Sequence, residues 1–211
     1  MMKYIGVPLG MRLLFEKSFR EHLTTVLGYD KATAKAVSKK AKPKYKEIIR
    51  TLPRFEKGDR FQINIVNCAL LCSFILSMPE VPSTEELTDY YAKAMMTKKM
   101  NWFCRQSGKN KFSQSDRNTM KETAKKRYAD RNPYSWNMDY YEYADGSGYE
   151  ARFTKCGICT LMKELDLYDL TPALCHLDYT MSEAGKAADF VREYTLASGG
   201  PYCDCGYKKK S

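Results

Sequence analysis

The fold is decided by residues 135–165, SWNMDYYEYADGSGYEARFTKCGICTLMKEL, where an aromatic-rich hairpin pattern is followed by a helical one. Two segments, Ser135 to Ala144 and Tyr149 to Lys155, are rich in aromatic residues, and they flank the turn sequence DGSG. Aromatic and alternating segments favour strands, and a Gly-containing turn between them favours a hairpin. Apolar residues then recur at helical spacing from Gly157 to about Leu165. This stretch therefore predicts two antiparallel strands and a short helix.

The residues before this stretch predict helices. The second of them should be bent or interrupted near Pro43, because proline lacks an N–H donor. The fourth should open at Ser83, where Ser83 and Glu86 match the reciprocal capping pattern. Arg105 to Ser115 is polar and contains glycine, which indicates an exposed loop. The helical spacing covers about residues 11–26, 31–52, 61–78, 83–102 and a short segment after 115 to about 129.

The residues after it predict a further short helix and a second hairpin. Pro172 suits the first turn of a helix. Phe190 to Ala197 and Tyr202 to Lys208 flank the turn sequence SGGP. The predicted fold is α+β, with a helical N-terminal half followed by an antiparallel sheet built from two hairpins with intervening short helices. We expect one domain over residues 1–211, mainly helical over 1–131 and cysteine-rich over 132–211.

Charge is unevenly distributed along the chain. The net charge is +10, yet Asn132 to Tyr207 has five basic and twelve acidic residues, whereas Lys31 to Arg60 has eleven basic and three acidic. A basic stripe can bind nucleic acid through phosphates. These lysines, however, are not interleaved with the aromatic residues on which single-stranded bases stack. We therefore expect solvated helix faces and no specific nucleic-acid partner.

The N-terminus and the apolar segments predict a cytoplasmic protein without a membrane partner. Pro8, Gly10 and Arg12 interrupt the apolar residues that follow Lys3, so a signal peptide is not expected. Phe61 to Met78 is uncharged but contains polar residues and barely reaches the length of a membrane span, which favours a core helix. In a reducing compartment, the eight cysteines indicate a metal-binding or catalytic site more than disulfide bonds.

Most of the candidate functional residues lie in three cysteine motifs of the last third. Cys156-Gly-Ile-Cys159 stands where a strand ends and a helix begins, and helix N-termini lower cysteine pKa values. Cys175-His176-Leu-Asp178 places a thiol, an imidazole and a carboxylate within four residues. In Cys203-Asp204-Cys205, strand alternation places both cysteines on one face and Asp204 on the other.

Two arginines are further candidate site residues, and the cysteines also allow two other functions, thiol redox chemistry and zinc binding. Arg152 and Arg192 could each hold a substrate carboxylate by a bidentate fork, or form surface ion pairs. The CGIC motif is also typical of thiol redox sites. The cysteines and His176 could instead bind zinc, although Cys-x-Cys departs from the usual spacing. We expect no cofactor, with zinc left open.

Three segments together resemble the L-2-amino-thiazoline-4-carboxylic acid hydrolase family: FTKCGIC at 153–159, LCHLD at 174–178 and FVREYTLASGGPYCD at 190–204. The resemblance implies a hydrolase of cysteine metabolism that opens a small cyclic amidine acid and gives an N-carbamoyl-cysteine-type product. The alternative is a redox, metal-binding or small-ligand-binding module without hydrolytic activity. A small molecule is the expected partner in either case.

The reaction needs an anion for the amidinium, a cation for the carboxylate and an activated nucleophile. Asp178 or Asp204 could supply the anion and Arg192 the cation. Either Cys159 attacks as a thiolate or a carboxylate activates water, and backbone N–H groups around Gly157 could stabilise developing charge. The predicted catalytic residues are Cys156, Cys159, Asp178 and Cys203, and the predicted substrate-binding residues are Arg152, His176, Arg192 and Asp204.

Overall fold

The computed structural model describes residues 8–210 and confirms the α+β class. Helices fill the first part of the chain and a four-stranded antiparallel sheet follows, with three short helices inserted between its strands. The helices are α1 (Leu9–Thr25), α2 (Lys31–Thr51), α3 (Gln62–Ile75), α4 (Thr84–Met95), α5 (Lys98–Lys109), α6 (Gln114–Arg127), α7 (Gly157–Glu164), α8 (Thr171–Cys175) and α9 (Leu177–Gly185). The strands are β1 (Asp139–Glu142), β2 (Gly148–Phe153), β3 (Ala188–Val191) and β4 (Cys203–Lys209).

Helix α3 is the centre of the hydrophobic core. Ten of its residues are buried, from Ile65 to Ile75, and it packs against α2 on one side and α7 on another. A helix surrounded by other helices is apolar on all sides, which explains why this segment is uncharged. Across residues 8–210, every helix is too short or too polar to cross a bilayer.

The helix boundaries follow local capping. Ser83 and Glu86 form the predicted capping box at the start of α4. Helix α2 continues through Pro43, so the predicted interruption does not occur. The predicted fourth helix is divided, because Met96 has a non-helical backbone and the Thr97 hydroxyl caps a new helix. Helix α5 then extends to Lys109 and α6 begins at Gln114, so the predicted loop at 105–115 is wrong except for residues 110–113.

The sheet has the strand order β1-β2-β4-β3, with every neighbouring pair antiparallel. The predicted first hairpin is β1 and β2. Strands β3 and β4 also pair, but β3 ends at Val191 and a longer connection replaces the predicted tight turn. The physical cause is the Asp204 carboxylate, which accepts the backbone N–H groups of Glu193 at 2.7 Å and Tyr194 at 2.6 Å. These donors are therefore not available for strand pairing.

The two faces of the sheet differ in their neighbours. Tyr149 on β2 stands opposite Tyr207 on β4, and their rings meet Phe112 and Phe190. We call this the helix-facing side, since α9 packs there against Phe190 through Tyr179. Alternation places Cys203 and Cys205 on the same side as Tyr207. It places Arg152 and Asp204, which are paired in the register, on the opposite face.

Candidate functional site

Arg192 and Asp178 form an ion pair on the helix-facing side. Arg192 follows β3 by one residue and keeps the alternation of Phe190. Its Nη2 donates to Asp178 Oδ2 at 2.6 Å and to Cys205 Sγ at 2.9 Å, Nη1 donates to the Cys175 carbonyl at 3.0 Å, and Nε donates to the Asp204 carbonyl at 3.1 Å. The Arg192 side chain is only 6% exposed, whereas that of Asp178 is 46% exposed. The arginine is therefore bound within the protein, and the carboxylate faces open space.

Cys156 and Cys159 form a thiol pair at the start of α7. Cys156 is the N-cap residue, and its side chain makes no regular capping hydrogen bond. The pKa of its thiol is nevertheless lowered, first by the Cys159 thiol, which donates to it, and then by nearby backbone N–H groups and the Trp136 indole, against the opposing effect of burial. The same hydrogen bond and burial raise the pKa of Cys159. Cys156 is thus the residue of this pair that favours the thiolate, and Cys159 is its proton donor.

Burial also affects two further thiols of the region, those of Cys175 and Cys203. Burial raises the pKa of Cys175 to about 12, and Cys156, Cys203 and Asp178 act on it in the same direction. Burial also raises the pKa of Cys203, on which both Arg192 and Asp178 act. Arg192 contacts the Cys175 carbonyl and the Cys205 sulfur, so these two cysteines adjoin the ion pair on the helix-facing side of the sheet.

Within residues 8–210, the side chains of three predicted substrate-binding residues form no hydrogen bond or salt bridge with the Arg192–Asp178 ion pair. Arg152 lies on the opposite face, paired with Glu150 and stacked over the Tyr202 ring at 4.7 Å. Asp204 lies on that face too, with its carboxylate bound to backbone N–H groups. His176 is exposed at the start of α9, 5.5 Å from the Tyr179 ring. Arg152 and Asp204 therefore point away from the helix-facing side, and His176 is exposed to solvent.

Asp178 borders two cavities. One has a volume of about 530 Å³ and is lined by residues of α1, α3, α4, α5, α7, α8 and α9, with a mostly apolar wall that includes Tyr91 and Ile158. The other, of about 160 Å³, lies between α5, α9 and the sheet, with Lys111 and Tyr207 in its wall. Asp178 therefore presents a negative charge to both spaces.

Lys111 lines the smaller cavity together with Asp178, and sequence reasoning did not single it out. Its Nζ lies 3.2 Å from the centroid of the Tyr207 ring and 4.9 Å from that of Tyr149. Burial lowers the pKa of this amine to about 8, although Asp116 acts in the opposite direction. A lysine in a polar, glycine-containing segment reads as exposed, and only the neighbouring Phe112 hinted at contact with the core.

Within residues 8–210, no three side chains of the His, Cys, Asp and Glu types come close enough together to hold a metal ion. Each of the eight cysteines is a free thiol.

Comparison with known proteins identifies the family. The profile of the L-2-amino-thiazoline-4-carboxylic acid hydrolase family matches residues 81–207, which is more than half of the chain and includes the cysteine motifs, Lys111, Asp178 and Arg192. Searches of curated proteins and of solved structures gave no match. On the strength of this profile, the chain belongs to the L-2-amino-thiazoline-4-carboxylic acid hydrolase family.

Proposed function

We propose that this protein is a hydrolase that opens a small cyclic amidine acid of the L-2-amino-thiazoline-4-carboxylate type. The product would be of the N-carbamoyl-cysteine type. The observation that carries the proposal is the Asp178 carboxylate, which Arg192 holds at the wall of two cavities within the segment that the family profile matches.

The proposed role of Asp178 is to bind the amidinium. Its Oδ2 accepts from Arg192, whereas its Oδ1 has no hydrogen-bond donor among residues 8–210. A protonated amidine carries N–H donors and a positive charge, so it matches a carboxylate oxygen at a half-exposed site. Arg192 keeps this carboxylate in one orientation, and we assign it a positioning role.

The reaction itself is a hydrolysis at the carbon between nitrogen and sulfur. Water adds to that carbon, the C–S bond breaks, and the sulfur leaves as a thiol that takes one proton from the water. The carbon becomes the carbonyl of a carbamoyl group, so one substrate and one water give one product.

Two routes lead to this product. In the direct route, water attacks the amidinium that Asp178 binds. In the covalent route, the Cys156 thiolate attacks the same carbon, the ring C–S bond breaks, and the leaving sulfur takes the proton of Cys159. Water then attacks that carbon, its oxygen becomes the carbamoyl carbonyl, the bond to Cys156 breaks to give back the thiolate, and Cys159 regains a proton from the water. The pKa directions favour Cys156 over Cys159 as the nucleophile. Single serine variants of the two cysteines separate the routes, since only the covalent route requires the Cys156 sulfur.

Thiol release from the thiazoline acid tests the proposal. The wild type should release thiol, and Asp178→Asn should lower kcat/KM by at least about 100-fold, because a neutral amide loses the charged contact. Asp189→Asn is the matched control, since Asp189 is 62% exposed on β3. Absence of thiol release by the wild type, from the acid and from related cyclic amidines, would contradict the proposal.

A second candidate function is thiol redox chemistry, which the Cys156–Cys159 pair favours. A thiolate at a helix N-terminus with a neighbouring thiol can form and release a disulfide. Alkylation in freshly lysed cells followed by mass spectrometry measures the state of the pair. A stable Cys156–Cys159 disulfide would favour this candidate over the hydrolase.

A further inference from the structure

The ammonium of Lys111 is half-buried, and no carboxylate of the described residues contacts it directly. Within residues 8–210 it forms no ion pair and donates no hydrogen bond, and its contacts are the faces of two tyrosine rings. Buried charges in proteins are normally paired. Asp116 acts on the Lys111 charge without forming an ion pair with it, and its Oδ2 accepts from the Tyr149 hydroxyl at 2.7 Å and from the Phe112 N–H at 2.9 Å.

This unpaired cation lines the cavity of about 160 Å³ that Asp178 also lines. Lys111 and Asp178 are the only charged side chains among the described residues of its wall, and the rest is small, apolar or uncharged. Gly108 and Gly185 form the part of the wall where α5 meets α9, and their lack of side chains lets the two helix backbones approach closely. The volume is below the range of about 300–1,000 Å³ that is typical of drug-sized ligands. The cavity therefore has the size of a very small molecule and presents one positive and one negative group to it.

We propose that Lys111 binds the carboxylate of the substrate, so that the smaller cavity holds a compact zwitterion with its amidinium on Asp178 and its carboxylate on Lys111. This inference rests on the proposed function. It transfers the carboxylate-binding role from Arg192, which the sequence favoured for it, to Lys111. Arg192 is unsuited to that role because its guanidinium is almost fully buried and already donates to four protein atoms.

The test compares two substrates, the thiazoline acid and its carboxamide, which differ only in the charged group. Thiol release gives kcat/KM for the wild type, Lys111→Met and Lys111→Arg. Lys109→Met is the control, since Lys109 is exposed and donates a hydrogen bond to Gln106. Loss of a charged contact predicts that Lys111→Met lowers kcat/KM for the acid by about 10- to 100-fold and leaves that for the carboxamide within about 2-fold. Lys111→Arg should retain part of the preference for the acid, and Lys109→Met should retain all of it.

The outcomes separate this inference from the proposed function. If the wild type opens the acid and Lys111→Met keeps the same preference for it, the inference is wrong and the function stands. Equal losses on both substrates would show a structural role and also overturn the inference. If the wild type opens neither substrate, the proposed function fails and the inference fails with it.

A measurement on the wild type alone covers the case in which Lys111→Met does not fold. The preference for the acid should fall as the pH rises through about 8, because the free enzyme then loses the Lys111 charge. The carboxamide lacks the anion and serves as the internal control for other titrations. A preference that stays constant from pH 7 to 9.5 would overturn the inference. The titratable and charged groups that face Lys111 are Arg60, Asp116, Tyr149, Asp178, Cys205 and Tyr207.

Discussion

Replacement of Lys111 by methionine should stabilise the free protein. Methionine has a similar length and no charge, so it removes the cost of burying an unpaired ammonium. Burial lowers the Lys111 pKa from 10.5 to about 8. That difference corresponds to a cost of about 3 kcal/mol for the charged form at about 1.36 kcal/mol per pKa unit. Because the side chain is partly exposed, the expected gain at pH 7 is about 1–3 kcal/mol.

The gain should depend on pH with a defined sign. The folded protein releases the Lys111 proton near pH 8 and the unfolded chain near pH 10.5, so between these values the unfolded chain binds more protons. The wild type therefore gains stability as the pH rises through this window. The advantage of Lys111→Met is present in full below pH 8 and is lost by about pH 10.5.

Urea unfolding followed by circular dichroism measures this difference. Wild type, Lys111→Met and the exposed control Lys109→Met are compared at pH 7 and at several values up to 10.5. The control should stay within about 0.5 kcal/mol of the wild type throughout. A Lys111→Met variant that is less stable than the wild type at pH 7, or an advantage that grows with pH, would refute the reasoning.

Three further variants test the packing and the ion pair. Ser83→Ala removes the N-cap of α4 and should cost about 1 kcal/mol in urea unfolding; a change below about 0.3 kcal/mol would contradict the capping account. Gly108→Ala would set its methyl group against the carbonyl of Gly185 and should lower the free energy of unfolding by about 1–3 kcal/mol; an unchanged melting temperature would show that the helices do not approach so closely. Arg192→Met should lower the free energy of unfolding by about 3 kcal/mol and remove most of the thiol-release activity. Arg152→Met, on the opposite face, is the control and should leave that activity within a few-fold. Equal activity losses in the two variants would contradict the assignment of the site to the helix-facing side.

Local signals in the sequence were sufficient for most of the fold. The turn at 145–148 and the reciprocal caps at Ser83 and Glu86 act over a few residues, so their structures follow from neighbours in the chain. The division at Met96 was missed because Thr97 is a less conspicuous cap inside a continuous apolar pattern. The second hairpin was predicted too tight because a side chain in one strand, Asp204, binds the backbone of the connection before it.

The candidate site was predictable only where strand alternation or direct adjacency governs it. Alternation correctly separated Cys203 from Asp204, and it also sets Arg192 on the side of Phe190. The partners of Arg192 come from α8, α9 and β4, so no local pattern could show that its donors are used. The environment of Lys111 depends on the rings of Tyr149 on β2 and Tyr207 on β4, which contact it only in the folded protein. The polar sequence around Lys111 does not predict these contacts.

The contact between α5 and α9 explains how residues so far apart in sequence come to share one small cavity. Gly108 and Gly185 meet backbone to backbone, since a Cβ at position 108 would overlap the Gly185 carbonyl oxygen. Lys111 follows the end of α5, and Asp178 lies in the first turn of α9. Because the helices approach without intervening side chains, the two opposite charges border a space of about 160 Å³ and remain separate from each other. A direct ion pair would neutralise both groups, whereas this spacing leaves each of them available to a ligand that carries the complementary charges.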